Sequence, residues 1–353
     1  MLEINRQAAA RKVNLLGAGC MLAAMKKTLA QIAVHSSQFP ENVARELRES
    51  LRSRRVNHKF HYEGLGQTRK WLALHQAYAP SRTDADCARA YDSSFEAAAA
   101  RLGAPRVHVV GLGCGGGQKD ARLLAQLRGS GKEVCYTPCD ASAAMVLAAR
   151  QTALGVIAGT NCLPLVCDLA AAADLPAALE EVVVAGAARL FTFFGMLPNF
   201  EPAVILPRLA DLVRPGDWLL LSANLAPGPD YAAGVRAILP LYDNVPTRDW
   251  LLAFLWNLGV EPGDGRLRFD VEEAPAGSGL QRVAASFRFD RPQAVQVDGE
   301  RFEFRAGDSI GLFFSYRHTP ALVRALLAPH GLVVAGQWLA PSGEEGVFLA
   351  GRA

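Results

Sequence analysis

Short apolar runs alternate with helical patterns through the middle of the chain. The apolar runs predict five strands, at residues 107–110, 134–138, 162–167, 190–194 and 218–223. Between these runs, apolar residues recur every three or four positions and predict helices at 120–127, 142–152 and 203–213. This alternation is typical of a Rossmann-like, doubly wound α/β layer with a mostly parallel sheet.

The segments on either side of this layer have different patterns. Residues 1–100 predict helices rich in Ala, Leu and Arg, among them an amphipathic helix that continues through Ala33. After a break at Gly228, the pattern predicts a helix and then antiparallel strands, at 250–258, 282–289, 294–297 and 302–304. A helix at 320–327 and a hairpin at 333–339 and 346–350 follow. We therefore expect one domain built from 1–228 and 317–353, with a second α+β domain inserted at 229–316.

The composition excludes several classes of protein. The 353 residues include 37 basic and 34 acidic side chains, a net charge of +3, and half of the residues are hydrophobic. The apolar content is too high for a disordered chain, and so small a charge, spread along the chain, gives no basic stripe for nucleic acid. We therefore expect no nucleic-acid partner. No apolar run reaches the roughly 20 residues that span a bilayer, so we expect no membrane partner either.

The N-terminal segment and the cysteines bear on location. The apolar run that begins at Leu15 follows a basic start, as in a signal peptide, but its pattern continues as an amphipathic helix beyond Lys26 and Lys27. The seven cysteines form no CxxC pair, which argues against a disulfide framework and against a structural zinc site. We expect a cytoplasmic protein and propose no metal.

The strongest local signal is a glycine-rich segment at 109–119, Val-Val-Gly-Leu-Gly-Cys-Gly-Gly-Gly-Gln-Lys, between a predicted strand and a predicted helix. A bare glycine cluster can be a plain turn, but at this position it lets a nucleotide-like ligand approach the backbone. The spacing of Gly111, Gly113 and Gly115 is tighter than the dinucleotide pattern, and no GxxxxGK[ST] sequence occurs. It suits S-adenosylmethionine (SAM), whose aminocarboxypropyl arm would meet the loop.

Two of the next strands end in aspartates. Asp140 lies roughly 20 residues beyond the glycines, where a carboxylate can accept hydrogen bonds from ribose hydroxyls. Asp168, followed by Leu169, ends the third predicted strand, at a position that lies beside the adenine in a methyltransferase-like layer. The structural alternative for either aspartate is a helix N-cap.

Six segments, in order, resemble the histidine-specific, SAM-dependent methyltransferases. Residues 59–66 are similar to that family's Lys-x-x-Tyr-Asp-x-x-Gly, 78–83 to its Tyr-Tyr-Pro-Thr-Arg-Thr, and 113–119 to its SAM loop. Residues 194–200 resemble its Gly…Gly-Asn segment, 212–217 its Leu-x-Pro-Gly-Asp, and 315–320 its Ser-x-Lys-Phe-x-Pro. The resemblance implies a class I SAM-methyltransferase fold, with an amino acid bound between the SAM domain and an inserted domain.

The resemblance also implies roles for single residues. Tyr62 would lie near the SAM carboxylate, while Tyr78 and Asn199 would contact the amino and carboxylate groups of the acceptor. With the positions already noted, the expected SAM-binding set is Tyr62, Gly111, Gly113, Gly115, Lys119, Asp140, Asp168 and Leu169.

Three departures from the family pattern bear on the substrate. The acidic residue that opens the family's glycine motif is Gly111 here, and its imidazole-binding Glu is Phe313. The family's Tyr-Asn/Asp stretch is only faintly echoed at 242–249. A phenyl ring cannot replace a carboxylate that grips an imidazole without losing a charge-assisted hydrogen bond, worth roughly 1.5–3 kcal/mol. Histidine is therefore not the expected acceptor.

Two reactions and one non-catalytic role remain open. The first is N-methylation of a small amino acid or derivative, with Tyr78 or Asp243 as proton acceptor and with a pocket formed by Phe200, Phe313, Phe314, Ser315 and Tyr316. The second has SAM as the only substrate: its α-amine attacks its γ-carbon, giving azetidine-2-carboxylate and methylthioadenosine, with aromatic rings stabilising the sulfonium. The third is a non-catalytic SAM-binding protein.

Overall fold

A central sheet of eight strands organises this protein, whose computed structural model describes residues 30–353. The strands of the described range are β1 Ala33–Val34, β2 Arg106–Leu112, β3 Glu133–Asp140, β4 Leu165–Val166, β5 Ala188–Phe193, β6 Trp218–Asn224, β7 Gly265–Glu273, β8 Gln281–Phe289, β9 Gln293–Val297, β10 Glu300–Phe304, β11 Ser309–Tyr316, β12 Leu332–Leu339 and β13 Glu345–Arg352. The helices are α1 Pro40–Arg52, α2 Gly64–Tyr78, α3 Pro80–Thr83, α4 Ala85–Arg101, α5 Gln118–Gly129, α6 Ala143–Ala153, α7 Leu175–Glu180, α8 Pro202–Leu212, α9 Tyr231–Tyr242, α10 Val245–Asn257 and α11 Pro320–Leu327.

The order of strands in the sheet is β1-β4-β3-β2-β5-β6-β13-β12. The first six strands in this order pair in parallel, and only β13 and β12 run antiparallel to their neighbours. Helices separate the consecutive parallel strands, as crossover connections between parallel strands require. This confirms the predicted Rossmann-like α/β fold of the class I SAM methyltransferases.

Apolar cores cover both faces of the sheet. Val107 and Val109 of β2 enter one core, which also contains Phe95 of α4. Val110 and Leu112 of the same strand enter the opposite core, together with residues of α8 and α11. Burial on both faces explains why these strands are continuous apolar runs rather than alternating ones.

Two expectations at one edge of the sheet are corrected: one strand is shorter than predicted, and Ala33 is not helical. The strand predicted at 162–167 is limited to Leu165–Val166, because Cys162 makes only an isolated bridge to Tyr136. Ala33, expected to continue a helix, lies in β1 and pairs with Leu165. Strand pairing at the sheet edge overrides the local helical pattern there. Residues 30–32 of that predicted helix form no helix either, and its earlier part, with Cys20, lies outside the described residues.

The segment between β6 and α11 contains α9, α10 and two small antiparallel sheets, ordered β11-β8-β7 and β10-β9. Strands β8, β9 and β10 confirm the predicted alternation, whereas β7, β11 and α9 were not predicted. A β-bulge between Gly311 and Phe313 breaks the alternation of β11, which hides this strand in the sequence. The assignment of 229–316 to a separate domain stays a prediction.

The N-terminal helices complete the architecture. Leu51 of α1 and Phe60 join a third core with Trp250, Phe254 and Phe287 of the segment that follows β6. Packing of this core places α1, α2 and the turn between them beside α10 and β11. Between residues 30 and 353, none of the helices is long and apolar enough to cross a bilayer.

Candidate active site

A cavity of about 830 Å³ lies at the carboxyl ends of the parallel strands. Ligands of open α/β sheets bind at this edge, and the volume lies in the upper part of the range for small-molecule sites. Twelve of the residues predicted from the sequence line the cavity: Tyr62, Tyr78, Gly113, Gly115, Lys119, Asp140, Asp168, Leu169, Asn199, Phe200, Phe313 and Phe314.

The glycine loop forms one wall of the cavity. The backbone N–H groups of Gly113 and Cys114 donate to the carbonyl of Cys139 at 2.8 and 3.0 Å, which ties the loop to the end of β3. Gly113 and Gly115 have φ angles of +67° and +51°, a region that glycine adopts without strain. The ring of Trp71 stands 3.1 Å from the point that a Cβ on Gly115 would occupy. Because Gly115 has no side chain, the Trp71 ring packs directly on the backbone of the loop.

Asp140 is held at the end of β3 by backbone donors. Its two carboxylate oxygens accept hydrogen bonds from the N–H groups of Gly115, at 3.2 Å, and Ser142, at 2.9 Å. Burial raises the pKa of Asp140 to about 6, so at pH 7 most of the carboxylate remains ionised. It lines the cavity as an acceptor.

Asp168 both closes a turn and carries an ion pair. One oxygen accepts the N–H groups of Ala170 and Ala171, and the other lies 3.1 Å from Lys59 Nζ, which also contacts Glu46 at 2.6 Å. No helix begins at Asp168, so its capping role is limited to a turn ahead of α7.

Lys119 is turned toward a buried carboxylate. Its ammonium donates to the hydroxyl of Tyr91 at 2.7 Å and lies 3.5 Å from Glu345 Oε1. Tyr62 also lines the cavity, and burial, with the nearby charge of Asp140, raises the pKa of its phenol above the ordinary value. Tyr62 is therefore a neutral hydrogen-bond donor at physiological pH.

The far end of the cavity is aromatic. A series of rings in contact, which we call the aromatic wall, consists of Trp71, Tyr62, Trp250, Phe313 and His58. Phe313 stacks on His58 with ring centroids 5.0 Å apart and packs edge-on against Trp250 at 5.7 Å. Burial lowers the pKa of His58 to about 3, so the wall carries no charge at this end.

Polar side chains face this end from the neighbouring strands. Asn199 donates to the carbonyl of Phe314 at 2.8 Å. Arg317, only 7% exposed, donates to the carbonyl of Leu225 at 3.1 Å and to the hydroxyl of Tyr242 at 2.8 Å. Its Nε has no hydrogen-bond partner, and no carboxylate of residues 30–353 forms an ion pair with it. The guanidinium lines the cavity as a cation without a counter-charge.

Four predicted residues do not line the cavity. Gly111 is buried within β2, and Ser315 is buried as a hydrogen-bond partner of Tyr242, at 2.8 Å. Tyr316 is buried and donates to Glu201 at 2.5 Å. Asp243 is exposed and pairs with Arg248 at 2.5 Å, which directs its carboxylate to the surface rather than to a substrate. We therefore assign no proton transfer to Asp243.

Sequence reasoning missed several residues that line the cavity, among them Asp120, Arg317 and Trp71. Asp120 is 2% exposed and follows Lys119 in the first turn of α5, where an acid is ordinary. Arg317 aligns with the Lys of the family's Ser-x-Lys-Phe-x-Pro, so the retained positive charge was a usable signal. Trp71 gave no signal, because only tertiary packing brings α2 over the glycine loop.

Sequence comparisons place the chain among known proteins. A family described as "Histidine-specific methyltransferase, SAM-dependent" matches residues 39–234, more than half of the chain. The chain belongs to this family. It is 32% identical to the histidine N-alpha-methyltransferase of Mycobacterium tuberculosis (strain CDC 1551 / Oshkosh), over 78% of this chain and 83% of that protein. The corresponding protein of Mycolicibacterium smegmatis (strain ATCC 700084 / mc(2)155) is 31% identical with the same coverage.

Among solved structures, the CcbJ methyltransferase from Streptomyces caelestis is 15% identical, covering 75% of this chain and 89% of that chain with a TM-score of 0.37. Membership of the family makes this chain a SAM-dependent methyltransferase. The residues of the cavity fit SAM: the glycine loop, the acceptor oxygens of Asp140 and the buried carboxylate of Asp120 all face the same space.

Proposed function

We propose that this methyltransferase transfers the methyl group of SAM to the α-amine of an amino acid less polar than histidine. The observation that carries the proposal is the surroundings of Phe313, which replaces the family's imidazole-binding Glu. Its neighbours are the rings of His58, Trp250 and Tyr242. Nearby Glu201 is already engaged by Arg282, at 2.7 Å, and by Tyr316. An imidazole here would lose a charge-assisted partner, whereas an apolar side chain would gain contacts.

Arg317 supports an amino acid as the acceptor. A buried guanidinium is costly unless an anion neutralises it, and the described residues provide none. A substrate carboxylate would complete this site, where Tyr242 and Asn224 also line the cavity. Tyr78 and Asn199 would then contact the amino and carboxylate groups of the acceptor, as the resemblance implies.

The protein itself needs to form no covalent bond to the substrate. SAM supplies an activated methyl group with its own leaving group, so the chain must bind, orient and exclude water. Arg317 and Asn199 would fix the acceptor, and the aromatic wall would keep the reacting groups dry. The attacking amine must be neutral. Tyr78 lines the cavity and is 54% exposed, so it is placed to pass the amine proton to solvent.

The experiment is a substrate panel. The protein is incubated with SAM and each of the natural amino acids, and S-adenosylhomocysteine (SAH) is measured. We expect SAH with one or more amino acids bearing apolar side chains and none above background with histidine. Turnover of histidine at a rate equal to or above that of every other amino acid would refute the proposal.

A second candidate, cyclisation of SAM, is favoured by the neutrality of the aromatic wall. Burial lowers to about 3 the pKa of His58, in the wall, and that of His75, which stacks on Trp71, so neither imidazole would repel a sulfonium. In this reaction the α-amine loses a proton, forms a bond to the γ-carbon and displaces methylthioadenosine. Incubation with SAM alone tests it, because only cyclisation gives methylthioadenosine with equimolar azetidine-2-carboxylate.

We also propose a cytoplasmic location. The cysteines of the described residues, Cys87, Cys114, Cys135, Cys139, Cys162 and Cys167, are all free thiols. Free buried thiols are typical of proteins that work in a reducing compartment. Thiol titration of the denatured protein under anaerobic conditions tests this: fewer than six free thiols would contradict it.

A further inference from the structure

A side chain at position 111 would occupy the space that the carboxylate of Asp120 fills. The acidic residue that opens the family's glycine motif is absent at position 111, and a Cβ built on Gly111 would overlap the Oδ2 atom of Asp120. It would also lie 2.9 Å from the hydroxyl of Tyr136. A side chain at 111 and the carboxylate of Asp120 therefore cannot coexist in this arrangement.

The carboxylate of Asp120 has no cation partner in residues 30–353. Its Oδ2 accepts from Tyr136 at 2.6 Å and its Oδ1 accepts from Thr192 at 2.8 Å, both neutral hydroxyls. The adjacent Lys119 points instead to Tyr91 and Glu345. Because an aspartate this deeply buried is rare without a paired charge, the site lacks one positive group.

Asp120 lines the same cavity as the glycine loop. We propose that Asp120 binds the α-ammonium of SAM, and that it supplies from the first turn of α5 the carboxylate missing at Gly111. The ligand brings the positive charge that the protein lacks, at the loop where the aminocarboxypropyl arm is expected. This inference rests on SAM binding by the family, and it is independent of whether methyl transfer or cyclisation follows.

A purely structural alternative exists for Asp120. Acids are favourable in the first turn of a helix, where they interact with the helix dipole. Loss of such an interaction would lower stability and weaken every ligand alike. A partner of the α-ammonium would instead weaken only ligands that carry this group. The test must therefore compare two ligands that differ in the amine.

The experiment is calorimetric titration of the full chain with SAH and with its analogue lacking the α-amino group. We expect wild type to bind SAH about tenfold or more tightly than the deamino analogue, as for a charge-assisted hydrogen bond. In Asp120→Asn the preference should fall about tenfold while the affinity for the deamino analogue stays within about twofold of wild type. Tyr136→Phe is the matched control: it removes one hydrogen bond to the same carboxylate but keeps the charge, so the preference should remain.

Two results would overturn the proposal. The first is equal affinity of wild type for both ligands, which needs no variant and so does not depend on the folding of Asp120→Asn. The second is an unchanged preference in a folded Asp120→Asn. Failure of wild type to bind either ligand would instead refute the SAM site itself, and the proposal with it.

Discussion

The rings of His58 and Phe313 stack with centroids 5.0 Å apart and planes inclined by 17°. This pair closes the end of the cavity where the family keeps a carboxylate for imidazole. His58 Nε2 accepts the backbone N–H of Phe314 at 3.2 Å, and burial lowers the pKa of His58 to about 3. The pair therefore offers a substrate side chain a flat, uncharged surface.

Phe313→Glu should make histidine a substrate. The new carboxylate would stand where the family grips imidazole, so we expect histidine-dependent SAH formation to rise about tenfold or more over wild type. Phe313→Leu, which removes the ring without adding charge, should show no such gain. Coupled SAH assays with histidine measure both variants. Equal histidine turnover in Phe313→Glu and Phe313→Leu would contradict the role given to this position.

Arg317→Met should weaken binding of the amino-acid acceptor but leave binding of SAM nearly unchanged. Loss of the guanidinium removes a charge-assisted contact to the acceptor carboxylate, which predicts a fall in kcat/KM for the amino acid of about 10- to 100-fold. The Kd for SAH should change less than about threefold. Arg324→Met, on the exposed face of α11, is the matched control and should leave both unchanged. A parallel loss of SAH affinity would show that Arg317 does not serve the acceptor.

Asp140→Asn should weaken the binding of SAM and of SAH. The ionised carboxylate accepts backbone N–H groups on one side and, by our account, ribose hydroxyls on the other. We expect the Kd for SAH to rise about 10- to 100-fold. The affinity for free adenine, which has no ribose hydroxyls, should fall far less. Asp211→Asn, at an exposed site, is the control. An unchanged Kd for SAH in Asp140→Asn would remove this residue from the SAM site.

Acid should stabilise the ligand-free protein through Asp120. Burial raises the pKa of Asp120 to about 6, against about 3.9 in the unfolded chain. Between these values the folded state binds more protons, so this group raises the free energy of unfolding as pH falls from about 6 to about 4. Relative to Asp120→Asn, wild type should gain stability over that window. Urea denaturation at several pH values measures the difference, and a constant or opposite difference would contradict the raised pKa.

SAH affinity should change in the opposite direction. Burial raises the pKa values of both Asp120 and Asp140 to about 6, and only their ionised forms are full acceptors for the ligand. Affinity should therefore fall as pH drops from 7 to 5. Titrations of wild type and of the double variant Asp120→Asn/Asp140→Asn measure this. A pH dependence that persists in the double variant would assign it to other groups.

Local patterns predicted the parts of the site that depend on a single segment. The glycine loop and Asp140 follow strands whose apolar runs are buried on both faces, so the sequence was sufficient to place them. Gly111 was different: the missing acid was visible, but its replacement by Asp120 was not. That exchange depends on side chains from β3, β5 and α5 meeting at one point.

Other features depend on contacts between distant segments. Leu165–Val166 is short because the strand pairs with both Ala33–Val34 and Cys139–Asp140 only over these two residues. Asp243 looked suitable as a base beside Tyr242, but Arg248 on the next helix draws its carboxylate to the surface. The uncompensated charge of Arg317 becomes visible only when all of its neighbours are known.

Labelling of the methyl group distinguishes methyl transfer from cyclisation of SAM. The protein is incubated with SAM carrying a trideuterated methyl group, together with the amino acid that is most active in the panel, and the products are analysed by mass spectrometry. Our account predicts unlabelled SAH and an N-methylated amino acid that carries the three deuterium atoms. Label retained in methylthioadenosine, with unlabelled azetidine-2-carboxylate beside it, would contradict methyl transfer.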